Sequence, residues 1–292
     1  MSAYARPGDL LAALAALAAE GAAPLAGGTD LLGQIEVGMR APATLVDVRD
    51  ALPATIEASG DGLVLGAGTL LAELVESPAL APYAVVREAA SLAASPLLRN
   101  RGTLGGNLCQ APRCWYLRGP EWTCWLGGGE QCYAQLGEHR KHGLEPGDCI
   151  SAHPSDLAPA LAACGASVEI AGPGGLSVRP LLDLYRRPTA ERRTVLDLAP
   201  GELVTRVLLP APPQASTYRR LGERQAFSFP LLGVAAARAA DGTLRVVAAG
   251  VANVPLALAP GDPLRDLPGD LQTAWKRKAL ATLVARALEE LA

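Results

Sequence analysis

The feature that most constrains this chain is a long segment without periodic structure, residues 100–153, in the middle of an otherwise regular sequence. Hydrophobic residues on both sides recur with helix or strand spacing, whereas this segment is rich in glycine, tryptophan and cysteine and shows neither period. A compact protein seldom carries so long an irregular segment unless the segment has a function of its own. We therefore expect a regular fold interrupted by a functional insert.

Four of the six cysteines lie within 36 residues of this segment. In order, with nine, seven and sixteen residues between them, they are Cys114, Cys124, Cys132 and Cys149. The spacing lacks the close cysteine pairs of zinc ribbons and the compact pattern of bacterial ferredoxins. Disulfide bonds are the plainest alternative, although they suit a small secreted protein better than a long chain. A zinc site that uses His139, His142 or His153 and an iron–sulfur cluster also stay open.

Composition and charge argue against two classes of function. The formal net charge is -3, and no run of basic residues offers a surface for phosphate backbones, so nucleic acid is not an expected partner. The longest apolar stretch, residues 10–19, is too short to cross a bilayer and lacks the basic start of a secretory signal. We therefore expect no membrane span and a cytoplasmic location, with export on a partner's signal left open.

Outside the insert, periodic segments predict an α+β fold. Residues 10–19 have the pattern of an amphipathic helix that Asp9 caps and Gly21 ends. The further elements expected before residue 174 are helices at 30–37, 70–76, 83–94 and 157–163, and strands at 23–26, 43–48, 63–65 and 166–170.

A glycine-rich turn at residues 172–175 marks the expected end of the first domain. That domain, residues 1–174, is expected to divide into two subdomains near residue 57 and to carry the insert at 109–153. The expected C-terminal domain, residues 175–292, is an antiparallel sheet with a helix on one face. Its predicted elements are strands at 204–209, 231–237 and 244–251 and a helix at 271–291.

The sequence Pro-Leu-Ala-Gly-Gly-Thr-Asp-Leu-Leu at residues 24–32 is a candidate anion site. A strand delivers Gly27 and Gly28 to a helix start, where free amides and the helix dipole favour a phosphate group. Glycine also lets a ligand approach the backbone closely. A plain helix cap by Thr29 and Asp30 is the alternative, and the spacing is not that of the Rossmann fingerprint.

A second glycine pair follows in Arg-Gly-Thr-Leu-Gly-Gly-Asn-Leu at residues 101–108. Hydroxyl and amide side chains flank the pair at Thr103 and Asn107, so the segment has hydrogen-bonding groups for a ribitol, a phosphate or the edge of a ring. A tight turn is the alternative interpretation.

Together these segments resemble one protein family. The ordered motifs PLAGGTDLL, LVDV, RNRGTLGGNL and HPSDLAPAL are similar to those of the FAD-binding subunits of the xanthine dehydrogenase and carbon monoxide dehydrogenase group. The similarity is clear over residues 10–170 and fainter beyond them. It implies an FAD-binding PCMH-type fold of two α/β subdomains with a cysteine-rich insert, followed by the C-terminal domain.

The resemblance also implies which residues contact FAD. The pyrophosphate is expected on the backbone amides of the first glycine segment, and the flavin is expected against the second. Arg219 stands where relatives often have a lysine near the flavin, and it keeps the positive charge. For Asp156, capping the helix at 157–163 is the alternative role. The expected contacts are Leu25, Ala26, Gly27, Gly28, Thr29, Asp30, Leu31, Thr103, Gly105, Gly106, Asn107, Asp156 and Arg219.

The cysteine segment resembles the insert of a subset of these subunits, those of bacterial aldehyde oxidoreductases and 4-hydroxybenzoyl-CoA reductases. The similar stretches are RCWYLR, GGGEQCYAQLGEHRKH and CISAHPSD. In that subset the four cysteines hold a [4Fe-4S] cluster near the flavin, which implies the ligands Cys114, Cys124, Cys132 and Cys149. Cys109 and Cys164 fall outside the similarity and are expected to be small buried residues.

The resemblance implies an electron-transfer subunit of a molybdenum hydroxylase complex. Its own cofactors would be FAD and a [4Fe-4S] cluster. Its partners would be a large subunit with the molybdenum cofactor and a small subunit with [2Fe-2S] clusters. No residue of this chain is expected to act as a nucleophile or general base on the organic substrate. Two alternatives stay open: a freestanding flavin-dependent oxidoreductase and a non-enzymatic scaffold stabilised by zinc.

Overall fold

The computed structural model describes residues 2–224 and 227–292, which form three sheets and ten α-helices. The strands are β1 (Ala3–Ala5), β2 (Ala22–Leu25), β3 (Thr44–Asp47), β4 (Ile56–Ser59), β5 (Gly62–Gly66), β6 (Ser167–Gly172), β7 (Gly175–Pro180), β8 (Leu203–Leu209), β9 (Ala215–Gly222), β10 (Pro230–Arg238), β11 (Leu244–Ala249) and β12 (Leu256–Leu258). The α-helices are α1 (Leu10–Leu17), α2 (Leu31–Glu36), α3 (Leu71–Glu76), α4 (Ala84–Leu92), α5 (Pro96–Arg99), α6 (Leu104–Leu108), α7 (Trp115–Arg118), α8 (Tyr133–Leu136), α9 (Leu157–Ala163) and α10 (Ala274–Glu290). Three short 3-10 helices are η1 (Pro78–Leu80), η2 (Trp125–Gly127) and η3 (Leu181–Leu184).

The first sheet is parallel, with the strand order β1-β3-β2. Asp47, at the end of β3, is fully buried and accepts hydrogen bonds from Tyr4 Oη at 2.6 Å and Arg49 Nε at 2.9 Å. The hydrogen bonds from the Arg49 guanidinium hold the pKa of the Asp47 carboxyl well below its usual range. The aspartate of the LVDV motif therefore ties β1 to β3.

The second sheet is antiparallel, with the order β4-β5-β8-β6-β7. The expected strand at 204–209 is present as β8, but the prediction that it belongs to the C-terminal sheet is wrong, because it pairs with β5 and β6. The expected boundary after residue 174 falls in the turn of the β6–β7 hairpin, where Gly175 has a φ of +96°. A tight hairpin turn and a domain linker use the same residues, and strand pairing distinguishes them.

The third sheet is antiparallel, with the order β12-β11-β10-β9. Strand β10 is buried on both faces. Val234 packs in a cluster with Leu280 of α10, whereas its neighbour Ala235 belongs to the larger core that includes Leu161 of α9. Burial on both faces explains why β10 reads as a continuous apolar run. The C-terminal sheet with a helix on one face thus agrees with the expected α+β architecture.

The insert at residues 109–153 keeps the irregular character that its sequence indicates. Its helices α7 and α8 have four residues each, and η2 has three. Aromatic rings pack against one another in the insert, where exposed Trp122 lies 4.8 Å from Tyr133 and 5.4 Å from Tyr116 between ring centroids. Elements this short are not stable on their own, so the insert depends on contacts with the rest of the chain.

Candidate functional site

A cavity of about 530 Å³ lies where the two glycine segments, the cysteine segment and the β9–β10 connection meet. Its volume is typical of sites for small molecules and cofactors. Of the residues expected to contact FAD, those that line this cavity are Thr29, Asp30, Thr103, Gly106, Asn107 and Asp156. Those that do not line it are Leu25, Ala26, Gly27, Gly28, Leu31, Gly105 and Arg219.

The first glycine segment presents free backbone donors beside the cavity. Strand β2 ends at Leu25 and helix α2 begins at Leu31. Within the described part of the chain, none of the five backbone amides of residues 26–30 donates a hydrogen bond. Gly28 has a φ of +76°, a conformation that favours glycine. Consecutive free amides at a helix start attract an anion such as a pyrophosphate.

The two glycine segments touch each other through their backbones. A side-chain carbon added at Gly27 would lie 1.9 Å from the carbonyl oxygen of Arg101, which no real structure tolerates. Gly102 lies beside the Thr29 side chain, since an added carbon there would stand 3.5 Å from its hydroxyl, an ordinary contact distance. Gly27 therefore allows the two subdomains to approach and does not itself face the cavity.

The second glycine segment uses its amides differently. The backbone nitrogens of Leu104 and Gly105 donate to the carbonyl oxygens of Thr69 and Ala67, each at 2.8 Å, and that of Gly106 donates to Thr103 Oγ1 at 3.1 Å. This segment therefore offers no free amides at its glycine pair. It contributes the small, exposed surface of Gly106 to the cavity.

Asp156 lies in the cavity wall and does not cap helix α9. Its carboxylate accepts hydrogen bonds from Tyr218 Oη at 2.7 Å and Arg220 Nε at 2.9 Å. The cap is Ser155, whose Oγ accepts from the Ala158 amide at 3.0 Å. Burial raises the pKa of the Asp156 carboxyl, and the ion pair with Arg220 opposes that shift.

Arg219 is not brought to the cavity. Its side chain forms an ion pair with Glu290 of α10, whereas Arg220 reaches Asp156. Adjacent residues of a strand point to opposite faces of the sheet, so only one of the two arginines can reach the cavity wall. The alternation of side chains along β9 would have distinguished them, but no strand was predicted at these residues.

The four predicted cluster ligands come together. Cys114, Cys124, Cys132 and Cys149 all line one small cavity, together with Tyr116, Leu117, Trp125, Leu126, Tyr133, Ala134 and Ser151. All six cysteines of the chain are free thiols, so no disulfide joins them. Among the residues that the structure describes, no group of three or more histidine, cysteine or acidic side chains has the geometry to hold a single metal ion.

His142 lies next to Cys114 in the lining of the cavity of about 530 Å³, which is called the larger cavity below. Its Nε2 lies 3.2 Å from Cys114 Sγ. The ring is 3 % exposed, and burial lowers the pKa of His142 to about 4. Burial likewise raises the pKa of the Cys114 thiol to about 12, so without a bound cation both groups are neutral.

Asp30 joins the first glycine segment to the insert. Its carboxylate accepts from Arg118 Nη2 at 2.7 Å and from the Ala111 amide at 2.9 Å, and it pairs with Arg113 Nη2 at 2.9 Å. Gln34 Nε2 also donates to it at 2.7 Å. The carboxylate is therefore occupied by the insert. Neither arginine was predicted from the sequence, because no local pattern relates them to Asp30.

Two further long-range contacts hold the insert in place. Arg193 Nη1 donates to the carbonyl oxygens of Trp125 at 3.0 Å and Gly129 at 2.6 Å. Lys276 Nζ of α10, fully buried, donates to the carbonyl oxygens of Lys141 at 3.0 Å and His142 at 2.7 Å. Burial lowers the pKa of Lys276 to about 7.

The sequence is similar to that of known flavoprotein subunits. Residues 1–212 match the family described as FAD binding domain in molybdopterin dehydrogenase. The aldehyde oxidoreductase FAD-binding subunit PaoB of Escherichia coli (strain K12) is 35% identical over 263 residues, which cover 86% of this chain and 81% of that protein. The carbon monoxide dehydrogenase medium chain of Afipia carboxidovorans is 29% identical over 220 residues, 74% of this chain and 60% of that one.

Solved structures with the same fold include a cyanide-inactivated Cu,Mo-CO dehydrogenase, with a TM-score of 0.72 and 24% identity over 99% of this chain and 96% of that chain. Quinoline 2-oxidoreductase from Pseudomonas putida 86 gives a TM-score of 0.72 at 20% identity, with the same coverage. These matches confirm the expected fold. No helix in the described ranges is long and apolar enough to cross a membrane. On the match over residues 1–212 and the similarity to the Escherichia coli subunit, the chain belongs to the family of FAD-binding domains of molybdopterin dehydrogenases.

Proposed function

We propose that this chain is the FAD-binding, electron-transferring subunit of a molybdenum-dependent hydroxylase or dehydrogenase complex, and that its four clustered cysteines hold a [4Fe-4S] cluster. Its partners are a large subunit with the molybdenum cofactor and a small subunit with [2Fe-2S] clusters. Two relatives support this assignment by name, one as the FAD-binding subunit of an aldehyde oxidoreductase and one as the medium chain of a carbon monoxide dehydrogenase.

The residues around the larger cavity fit FAD. Of the free amides at residues 26–30, those of Thr29 and Asp30 belong to residues that line the cavity and supply donors for the pyrophosphate. Thr103, Asn107 and Asp156 supply polar groups on the cavity wall. Gly106 leaves the wall open, since an added side-chain carbon there meets only Thr103 Oγ1, at 3.0 Å. Tyr218 and Arg220 hold Asp156 in place behind the wall.

The observation that carries the cluster assignment is the convergence of four cysteines on one small cavity. Four thiolates are the ligand set of a [4Fe-4S] cluster, in which each cysteine binds a different iron atom, and the same set also suits zinc. The resemblance of the insert to that of the aldehyde oxidoreductase and 4-hydroxybenzoyl-CoA reductase subunits favours the iron–sulfur cluster.

When bound, FAD supplies chemistry that accepts or releases electrons singly or in pairs, which suits a link between iron–sulfur clusters and an external acceptor. The chain's own residues bind and orient the cofactors. The free amides hold an anion, and Tyr116, Trp125 and Tyr133 line the cysteine cavity and shield it from water. That shielding influences a cluster's reduction potential. We assign no general acid, general base or nucleophile to this chain.

Cofactor analysis tests the proposal. Anaerobically purified protein should contain about one FAD, and about four irons and four sulfides per chain for a single [4Fe-4S] cluster. Zinc in stoichiometric amount with no iron would contradict the cluster and favour the zinc-stabilised scaffold.

A second measurement separates the subunit from a freestanding oxidoreductase. The chain should show no turnover of aldehyde or heterocyclic substrates when purified alone, and it should co-purify with the molybdenum-binding and [2Fe-2S] subunits when all three are expressed together. Substrate turnover by the isolated, molybdenum-free chain would support the freestanding enzyme instead.

A further inference from the structure

The cysteine cavity and the larger cavity share one wall, and Cys114 is part of both linings. None of the other three clustered cysteines lines the larger cavity. His142 lies beside Cys114 in this wall, with its Nε2 at 3.2 Å from the sulfur. A group bound to Cys114 would therefore be separated from an occupant of the larger cavity by this thiolate and this imidazole.

Neighbouring groups support His142 in this position. Its ring packs edge-to-face with the Trp115 ring, at 5.0 Å between centroids and an interplanar angle of 88°. Its backbone is fixed on both sides, since its amide donates to the His139 carbonyl oxygen at 2.8 Å and its carbonyl accepts from buried Lys276 at 2.7 Å. Such support lets the ring keep its contact with Cys114 Sγ.

The polar contacts of the four thiols are unequal. Besides the contact of His142 with Cys114, the described residues provide one other side-chain contact to these sulfurs, between Cys149 Sγ and Ser151 Oγ at 3.3 Å. A hydrogen bond to a ligand sulfur disperses its negative charge. It therefore stabilises the reduced, more negative form of a cluster and raises its reduction potential.

We propose that His142 is a positioning residue that donates its Nε2–H to the Cys114 thiolate, holds this ligand at the wall of the flavin cavity, and raises the reduction potential of the cluster. The inference rests on the proposed [4Fe-4S] site. It assigns the imidazole a function in tuning the cluster, with no direct bond to iron.

The test compares His142→Leu, which cannot donate a hydrogen bond, with His142→Gln, whose side-chain amide can. His139→Gln is the control, because His139 contacts Asp270 and Gly137 and no cysteine. Each variant is purified in the assembled complex and assayed for iron, sulfide and FAD. The midpoint potential of the cluster is then measured by redox titration, with the electron paramagnetic resonance signal of the reduced cluster as readout.

We expect His142→Leu to retain iron and FAD and to show a lower midpoint potential than the wild type, with His142→Gln in between and His139→Gln unchanged. Loss of iron from His142→Leu alone, with wild-type iron in His142→Gln, would also support the role of the donor. An unchanged potential in iron-replete His142→Leu, or equal loss of iron from both His142 variants, would overturn the inference while leaving the cluster in place. Absence of iron from the wild type would instead overturn the proposed cluster, and this inference with it.

Discussion

The two cavities differ in what builds their surroundings: backbone segments that meet at glycines adjoin the larger cavity, whereas four cysteines and aromatic side chains line the cysteine cavity. Around the larger cavity, glycines let two regular subdomains approach, and the free amides follow from where β2 ends and α2 begins. The cysteine segment has helices of four residues at most and is held from outside by Asp30, Arg193 and Lys276. If the two cavities hold the proposed cofactors, we expect the flavin site to be preformed and the cysteine site to depend on its anchors and on its cluster.

Cys124→Ser should have the largest effect, and that effect should be confined to the cysteine cavity. Serine is a far poorer iron ligand than thiolate, so iron should fall from about four per chain to nearly none, whereas FAD should remain near the wild-type level. Iron, sulfide and flavin assays on one preparation measure both. Cys109→Ser is the control, since Cys109 does not line the cysteine cavity. Equal loss of FAD in Cys124→Ser would mean that the flavin site is not independent of the insert.

Gly106→Val should have the opposite effect, a loss of FAD with iron retained. It adds a branched side chain at an exposed position in the wall of the larger cavity. FAD content should fall at least tenfold because the added group occupies the space of the ligand, while iron stays at its wild-type level. Gly33→Ala is the control, because nothing lies within 4 Å of an added carbon there. A folded Gly106→Val protein with full FAD content would count against this cavity as the flavin site.

Asp30→Asn should affect both cofactors, because the Asp30 side chain lines the larger cavity and binds the cysteine insert. Removing its charge leaves the part-buried Arg113 and Arg118 without their counter-ion, which should destabilise the insert by about 1–3 kcal/mol. We expect iron to be lost to a chelator several times faster than from the wild type, with a smaller decrease in FAD. Glu36→Gln, at an exposed position of the same helix, is the control. Unchanged iron release would show that this anchor is dispensable.

The smallest effect on the cofactors should come from Lys276→Met, which should instead change the pH dependence of stability. Burial lowers the pKa of Lys276 to about 7, below its ordinary value of about 10.4 in an unfolded chain. Between these values the unfolded chain binds a proton that the folded chain does not, so the free energy of unfolding contributed by this group rises with pH.

Thermal unfolding at pH 7 and pH 9 measures this contribution. The wild type should gain stability relative to Lys276→Met as the pH rises through that window, and exposed Lys278→Met should behave like the wild type. A parallel response of Lys276→Met and the wild type would show that Lys276 stays protonated when folded, with its two carbonyl contacts offsetting the cost of burial.

Local patterns in the sequence predicted most of the regular elements. The expected helices at 10–19 and 157–163 and the strand at 231–237 correspond to α1, α9 and β10, because hydrophobic spacing and capping residues act over a few residues. Strand β9 was not predicted, because its residues, ASTYRRLG, are mostly polar and show no alternation of apolar and polar side chains. The four cysteines were identified because they lie close together in the sequence and match the insert of similar subunits, and the structure brings them to one small cavity.

The sequence by itself therefore determined the family, the helices and strands with strong periodicity, and the set of cysteines. Only the tertiary structure decided that β8 joins the sheet of β5 and β6, and that Arg220, not Arg219, reaches Asp156. It also decided that Asp30 binds the insert. The physical reason is range: capping and periodicity are set by neighbouring residues, whereas strand register and the partners of a long charged side chain depend on segments that come together only when the chain folds.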